Sequence, residues 1–254
     1  MILIFSIAVF GSNAVGSHEN QRGGYKMSET IKADTMGIRL LEIQNSVGEV
    51  ELKPSVDNEM KMKVNKIVKN ATQKVSQNIL NRTKILLERH NNKISIKAVD
   101  RNNENIEINE FVSRNYKQKI DMEINYILEV PASIDEFFIH VNTGKIVVDE
   151  KRSGSFDLGV DVGSIIADKI KTVGKSNFNV GVGKITTGFW DVEKAEKINL
   201  KAETGDIGIS IPKNTKCTVE TEQFMEKRKQ IDFNGGGIPI KAVATMGDVK
   251  IRFY

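Results

Sequence analysis

Cysteine is almost absent from this 254-residue chain: Cys217 stands alone, so no disulfide can staple the molecule internally. It alternates with Thr215 and Val219 and reads as a small buried thiol, with no histidine nearby in sequence to act as its base. The three histidines, His18, His90 and His140, are isolated, so the clustered ligands of a metal centre are not in view. Four prolines and 20 glycines exclude a collagen-like or Pro-rich disordered chain. Aromatic residues make up only 6% and the sole tryptophan is Trp190, which points to a thin core of Ile, Val and Leu. The chain also lacks an apolar run long enough to cross a bilayer as a helix. No spacing of Ser, His, Asp or Cys suggests a nucleophile with an oriented base. The reading is therefore a non-enzyme with no cofactor.

The longest apolar run lies at the very start, residues 2–10 (ILIFSIAVF), followed by Gly11, Ser12, Asn13, Ala14 and Ser17. That is the length of a secretory h-region followed by small residues suited to cleavage, so residues 1–17 read as a signal peptide or N-terminal anchor and the protein as secreted or envelope-associated. Residues 18–36 are polar and read as a linker. A β-rich part is expected over 37–130, and a repetitive part over 131–254.

Charge is uneven. Residues 61–120 hold fourteen Lys and Arg against five Asp and Glu, whereas the whole chain carries only +4. Such a stretch can attract anionic partners, and Lys61, Lys63, Lys66 and Lys69 are the contact residues expected for an anionic cell-wall polymer or a membrane surface. A solvated face of a Lys- and Asn-rich chain is the plainer reading. Nucleic acid is not expected as a partner, because only Phe111 and Tyr116 interleave with the basic residues. Within this part, Ala71, Val75, Ile79 and Leu80 fall on one helical stripe behind a capping Thr72, which predicts one short helix near 70–86. Two strands around His90-Asn91-Asn92 should follow, then an irregular loop over 101–116, then a strictly alternating strand over 119–130 that Pro131 ends.

The dominant signal is a repeated phrase of alternating strand, glycine, polar residue and alternating strand. It occurs at residues 137–149 (FFIHVNTGKIVVD), 156–168 (FDLGVDVGSIIAD), 198–211 (INLKAETGDIGISI) and 240–253 (IKAVATMGDVKIRF), with a degenerate copy at 178–187 and an early relative at 41–52. The glycines Gly144, Gly163, Gly183, Gly205 and Gly247 are 19, 20, 22 and 42 residues apart, and Gly48 heads the early relative. A period near twenty predicts an all-β fold, a β-solenoid or single-stranded β-helix-like stack. Ile146, Ile165, Ile185, Ile207 and Val249, each two residues past its glycine, should form one aliphatic ladder. The double-length gap marks a defective copy, with the charged EQFMEKRK segment and Gly235-Gly236-Gly237 in place of a corner.

With Tyr126–Pro131 (YILEVP) leading into strand–Gly–Asp–Ile/Val–strand phrases, residues 37–254 resemble the family of bacterial β-strand-repeat proteins called putative adhesins. The matching positions are Val130-Pro131, Gly144-Lys145-Ile146, Gly163-Ser164-Ile165, Gly205-Asp206-Ile207 and Gly247-Asp248-Val249. The resemblance implies an exported envelope protein that serves as an adhesin-like interaction or structural module, with another envelope protein as a further candidate partner. It brings no catalytic residues. Two alternatives stay open: a regulatory component of an envelope stress response, and a carbohydrate-active β-helix enzyme using some of Asp149, Asp161, Asp168, Asp191 and Asp206 beside Trp190.

Overall fold

The computed structural model describes residues 15–20, 24–149, 152–223 and 226–254. The expected signal segment lies outside the described residues as far as residue 14. From there Val15–Asn20 forms β1, antiparallel to β2, Gly24–Asp34. The expected linker over 18–36 is thus corrected, because β2 pairs along its whole length with β4, Glu59–Lys69. Its inward row of Met27, Glu29, Ile31 and Ala33 mixes a carboxylate among apolar residues, which hides the alternation.

The described chain is predominantly β, in one large mixed sheet that does not close on itself. β3, Leu40–Pro54, passes through Gly48 without a break and pairs in parallel with β9, Glu136–Val148, placing Leu41 opposite Phe137, Gly48 opposite Gly144 and Val50 opposite Ile146. On its other side it has two neighbours that part at Gly48. Residues 40–43 pair with β6, Lys93–Asp100, and residues 50–54 pair with β8, Asp121–Val130. β8 continues antiparallel into β4, and β6 continues antiparallel into β5, Thr83–His90, and β7, Asn103–Glu107. No packing boundary falls at residue 130, since the sheet and a single apolar cluster run across it.

β9 pairs in parallel with β10, Ser153–Thr204, with Gly144 opposite Gly163 and Ile146 opposite Ile165. Further along, Ile185 of β10 lies opposite Ile207 of β11, Ile207–Ile211, and Ile207 lies opposite Val249 of β15, Val249–Phe253. Inward residues alternate along every one of these segments. Ile146, Ile165, Ile185 and Ile207 are fully buried, and Val249 on the terminal strand is half-buried against the same core. Full burial of an Ile side chain contributes roughly 1.5–3 kcal/mol relative to exposure. The core is also more aromatic than composition suggests, because Phe137, Phe156, Phe178 and Phe189 follow one another with ring centroids 5.3, 6.3 and 6.4 Å apart.

Glycine at the corners answers to backbone proximity. A Cβ on Gly163 would lie 1.8 Å from the Gly144 carbonyl oxygen, and one on Gly183 would lie 1.7 Å from that of Gly163. Both glycines also have φ of +142°, a region closed to side-chain-bearing residues.

The defective copy resolves into a hairpin. β12, Cys217–Gln223, and β13, Glu226–Phe233, are antiparallel, and β14, Ile238–Met246, slots between β10 and β12, parallel to both. The helix expected near 70–86 is α1, Gln73–Arg82, capped at Thr72 Oγ1 by the Val75 N–H at 3.5 Å. The expectation of one helix is corrected by a second, α2, Ile108–Asn115, inside what read as loop. Ile108, Phe111 and Val112 supply an i, i+3, i+4 stripe that is buried, and Arg82 lies 4.1 Å over the Phe111 ring.

Candidate functional site

Residues of opposite parity to the buried rows point outward ahead of the glycine corners. On β9 these are Phe138, His140 and Asn142, and on β10 they are Asp157, Gly159 and Asp161, then Asn179 and Gly181, then Lys201 and Glu203. Parallel register sets them in rows, as in Gln44, His140 and Gly159. Between them lies a hollow of about 550 Å³. Gly159 and Gly181 form part of its lining because neither position has room for a side chain. A Cβ at Gly159 would come within 2.6 Å of His140 Nδ1, and one at Gly181 within 2.5 Å of the Asp161 carbonyl. The His140 ring therefore leans over Gly159 and brings Nε2 to 3.2 Å from Asp161 Oδ1.

Two smaller hollows of about 360 and 350 Å³ flank the first, and Phe138 lines all three. It is 40% exposed, unusual for a phenylalanine in a rigid sheet. The charged groups around it are mixed in sign, and the exposed Val182 lines the main hollow with them. Glu42 accepts from Lys93 Nζ and Ser95 Oγ, both at 2.7 Å, and the Lys93 bond chiefly holds its carboxyl below the usual range. Asp157 is pushed above that range by desolvation of its carboxyl although the residue as a whole is exposed; no cation pairs with it among the described residues. An exposed ring framed by carboxylates, amides, a histidine and a lysine can anchor a partner by packing while the rim fixes orientation.

The four lysines marked for anionic contact do not act together. Lys66 is 2% exposed and pairs with Glu29 at 2.7 Å while donating to the Thr83 carbonyl at 2.8 Å. Burial is the main reason its ammonium titrates below the ordinary lysine range. Its contact role is corrected, for it shares strand parity with Met60, Met62 and Val64, a signal present in the sequence. Lys61 pairs with Asp57 at 2.5 Å and Lys69 with Glu123 at 2.8 Å, while Lys63 is exposed. Elsewhere in the basic segment, Arg82 pairs with Asp100, Arg89 with Asp34 and Lys93 with Glu42. Apart from Asp100, these acids lie outside the segment, so Glu29, Asp34, Glu42, Asp57 and Glu123 offset part of its charge.

Of the carboxylates considered for sugar cleavage, Asp161 faces the main hollow, Asp191 pairs with Lys171 within β10, and Asp206 accepts the Asp248 N–H at 3.1 Å at a glycine corner, so these three have different surroundings. Among the described residues no three of His, Cys, Asp and Glu gather in a metal-binding group. Cys217 is buried, and burial raises its thiol pKa, so thiolate is disfavoured. No helix among the described residues is long and apolar enough to cross a membrane.

No protein-family model matches the chain, and no curated protein matches it. Among solved structures, it is similar to a putative cell adhesion protein from Clostridium sporogenes at 13% identity and a TM-score of 0.48, over 89% of this chain and 99% of that one. It is also similar to a putative adhesin from Bacteroides fragilis, at 10% identity and a TM-score of 0.30 over 89% of this chain and 97% of that one. A putative adhesin from Parabacteroides merdae shows 8% identity and a TM-score of 0.30, over 89% and 96% of the respective chains. Likeness at this level assigns no activity.

Proposed function

We propose that the protein is a non-enzymatic bacterial envelope module, exported by its N-terminal segment, whose parallel strands form a β-solenoid presenting an adhesive outer face around Phe138. One observation carries this reading: an exposed aromatic ring shared by three adjoining hollows, on strands whose backbones are locked in register. A rigid platform lowers the entropic cost of binding, because the contact groups are already ordered. The face carries both signs of charge, which favours a mixed polar and apolar surface partner, such as another envelope protein, over an anionic polymer.

Two arms test the proposal. Protease added to intact cells should digest the full-length chain if it is displayed outside the membrane, and complete protection until lysis would count against export. Labelled protein should also bind intact bacterial cells. Phe138→Ala should weaken that binding about tenfold, the scale of an aromatic anchor. Unchanged binding by the folded variant would remove Phe138 from the contact.

A further inference from the structure

A second exposed aromatic lies away from the Phe138 face. Trp190 is 47% exposed although Phe189 beside it is fully buried. Strand alternation turns Phe189 inward and Trp190 outward, and the stretch that follows stays anchored in the core through Val192 and Ala195. Beside Trp190 lies a cleft of about 580 Å³, its polar lining supplied by Asp191 and Glu193 from β10 and by Asn214, Thr215 and Lys216 from the turn before β12, over an apolar floor that includes Ile238. Its volume is in the range of small-ligand sites.

Trp190 is flanked on one side by a lysine. The Lys171 ammonium lies 5.5 Å from the ring centroid and pairs with Asp191, whose carboxyl is held below its usual range despite partial desolvation. That cation covers one face of the indole, pins the ring and leaves a single face for a ligand. The indole N–H has no hydrogen-bond partner among the described residues. The remaining lining selects the ligand by chemistry. Asp191 and Glu193 are matched by Lys171 and Lys216, so the lining has no net charge to select an ion of either sign. A free organic cation would want several aromatic walls, whereas this cleft has one aromatic with one face already covered by Lys171. Asp191 already has Lys171 and the Glu193 N–H as partners, so a wholly apolar ligand would desolvate the Glu193 carboxylate and the Asn214 amide without replacing their water contacts. A neutral polyhydroxylated ring suits this lining, its flat C–H face against the indole and its hydroxyls toward Glu193, Asn214 and Thr215.

We infer that the Trp190 cleft binds a neutral saccharide, with one β-linked pyranose stacked on the indole. This site is separate from the Phe138 face and does not rest on that reading. Because Trp190 is the only tryptophan, its emission reports from this cleft alone. The folded full-length protein is titrated with cellotriose and, separately, with triacetylchitotriose, which distinguish plain from N-acetylated sugars. A saturable blue shift with either, at about millimolar Kd or tighter, is expected. Asn214→Ala keeps the reporter and should weaken binding about three- to tenfold. By calorimetry Trp190→Ala should abolish binding, Trp190→Phe should retain part of it, and Phe138→Ala should leave it unchanged. No saturable change with either sugar up to about 10 mM, or undiminished binding by Trp190→Ala, would overturn the inference.

Discussion

At single residues, two kinds of constraint dominate, backbone proximity and buried charge. Gly163→Ala places a methyl 1.8 Å from the Gly144 oxygen at a φ of +142°, and should cost about 3–5 kcal/mol from combined steric overlap and backbone strain. Gly174→Ala is the control. Its φ is +65° but nothing lies within 4 Å of the added Cβ, so about 1 kcal/mol is expected. Urea midpoints at constant m-value compare the two, and equal losses would mean the corner glycines serve turn geometry alone. Asp100 sets an acid limb of stability. It accepts two bonds from Arg82, at 2.9 and 2.6 Å, which chiefly hold its pKa below the usual carboxylate value. The stabilisation is then present above a pH of about 4, the unfolded value, and is lost as pH falls through the lower folded value. Asp100→Asn should therefore be less stable than the parent at pH 7 and close to it at strongly acidic pH, as read by urea midpoints. A gap that stays constant across this range would refute the assignment. The glycines were visible in the sequence because each obeys a local rule. The hollow at Phe138 was not, since Gly159 and Gly181 mean something only once His140 and Asp161 lie across from them.

Within elements, strand parity decides what a charged residue does. Lys66 and Lys63 sit in the same strand three residues apart, yet one is buried with Glu29 and the other is exposed. Lys66→Ala leaves the Glu29 carboxylate without its cation and should cost about 3–5 kcal/mol. Lys63→Ala should change stability by under about 0.5 kcal/mol, as surface changes usually do. Thermal or urea unfolding separates the cases, and similar small losses for both would contradict the buried pair. Parity was available in the sequence and identifies Lys66 as inward. The partner was not, because Glu29 stands on β2, whose mixed inward row reads as linker. The second helix was hidden for a related reason, since eight residues with three apolar positions are marginal until Ile108, Phe111 and Val112 find a core.

For the whole molecule, nearest-neighbour pairing makes stability vary along the sheet. β15 pairs with β11 alone, and β13 stands at the end of the strand order, whereas β9 has β3 and β10 on its two sides. Amides of β13 and β15 should exchange with solvent fastest and those of β9 slowest, in keeping with local opening from unpaired edges. Uniform exchange across all three would indicate one all-or-none unit. The period of the glycines announced this organisation in the sequence. What it left out was the β12–β13 hairpin, where the chain leaves one strand position open and β14 returns to fill it between β10 and β12. That arrangement is set by long-range pairing and has no local code.

Both proposed contact sites depend on neighbouring strands lying in register, so the most direct measurement is of that register. In protein labelled at the isoleucine δ1 methyls, nuclear Overhauser contacts should run from Ile146 to Ile165 and from Ile185 to Ile207, with Ile165 to Ile185 joining them, as strands about 4.8 Å apart require. Contacts from these methyls to the outward-facing Ile166, or none between successive members, would contradict the ladder and the outer faces built on it.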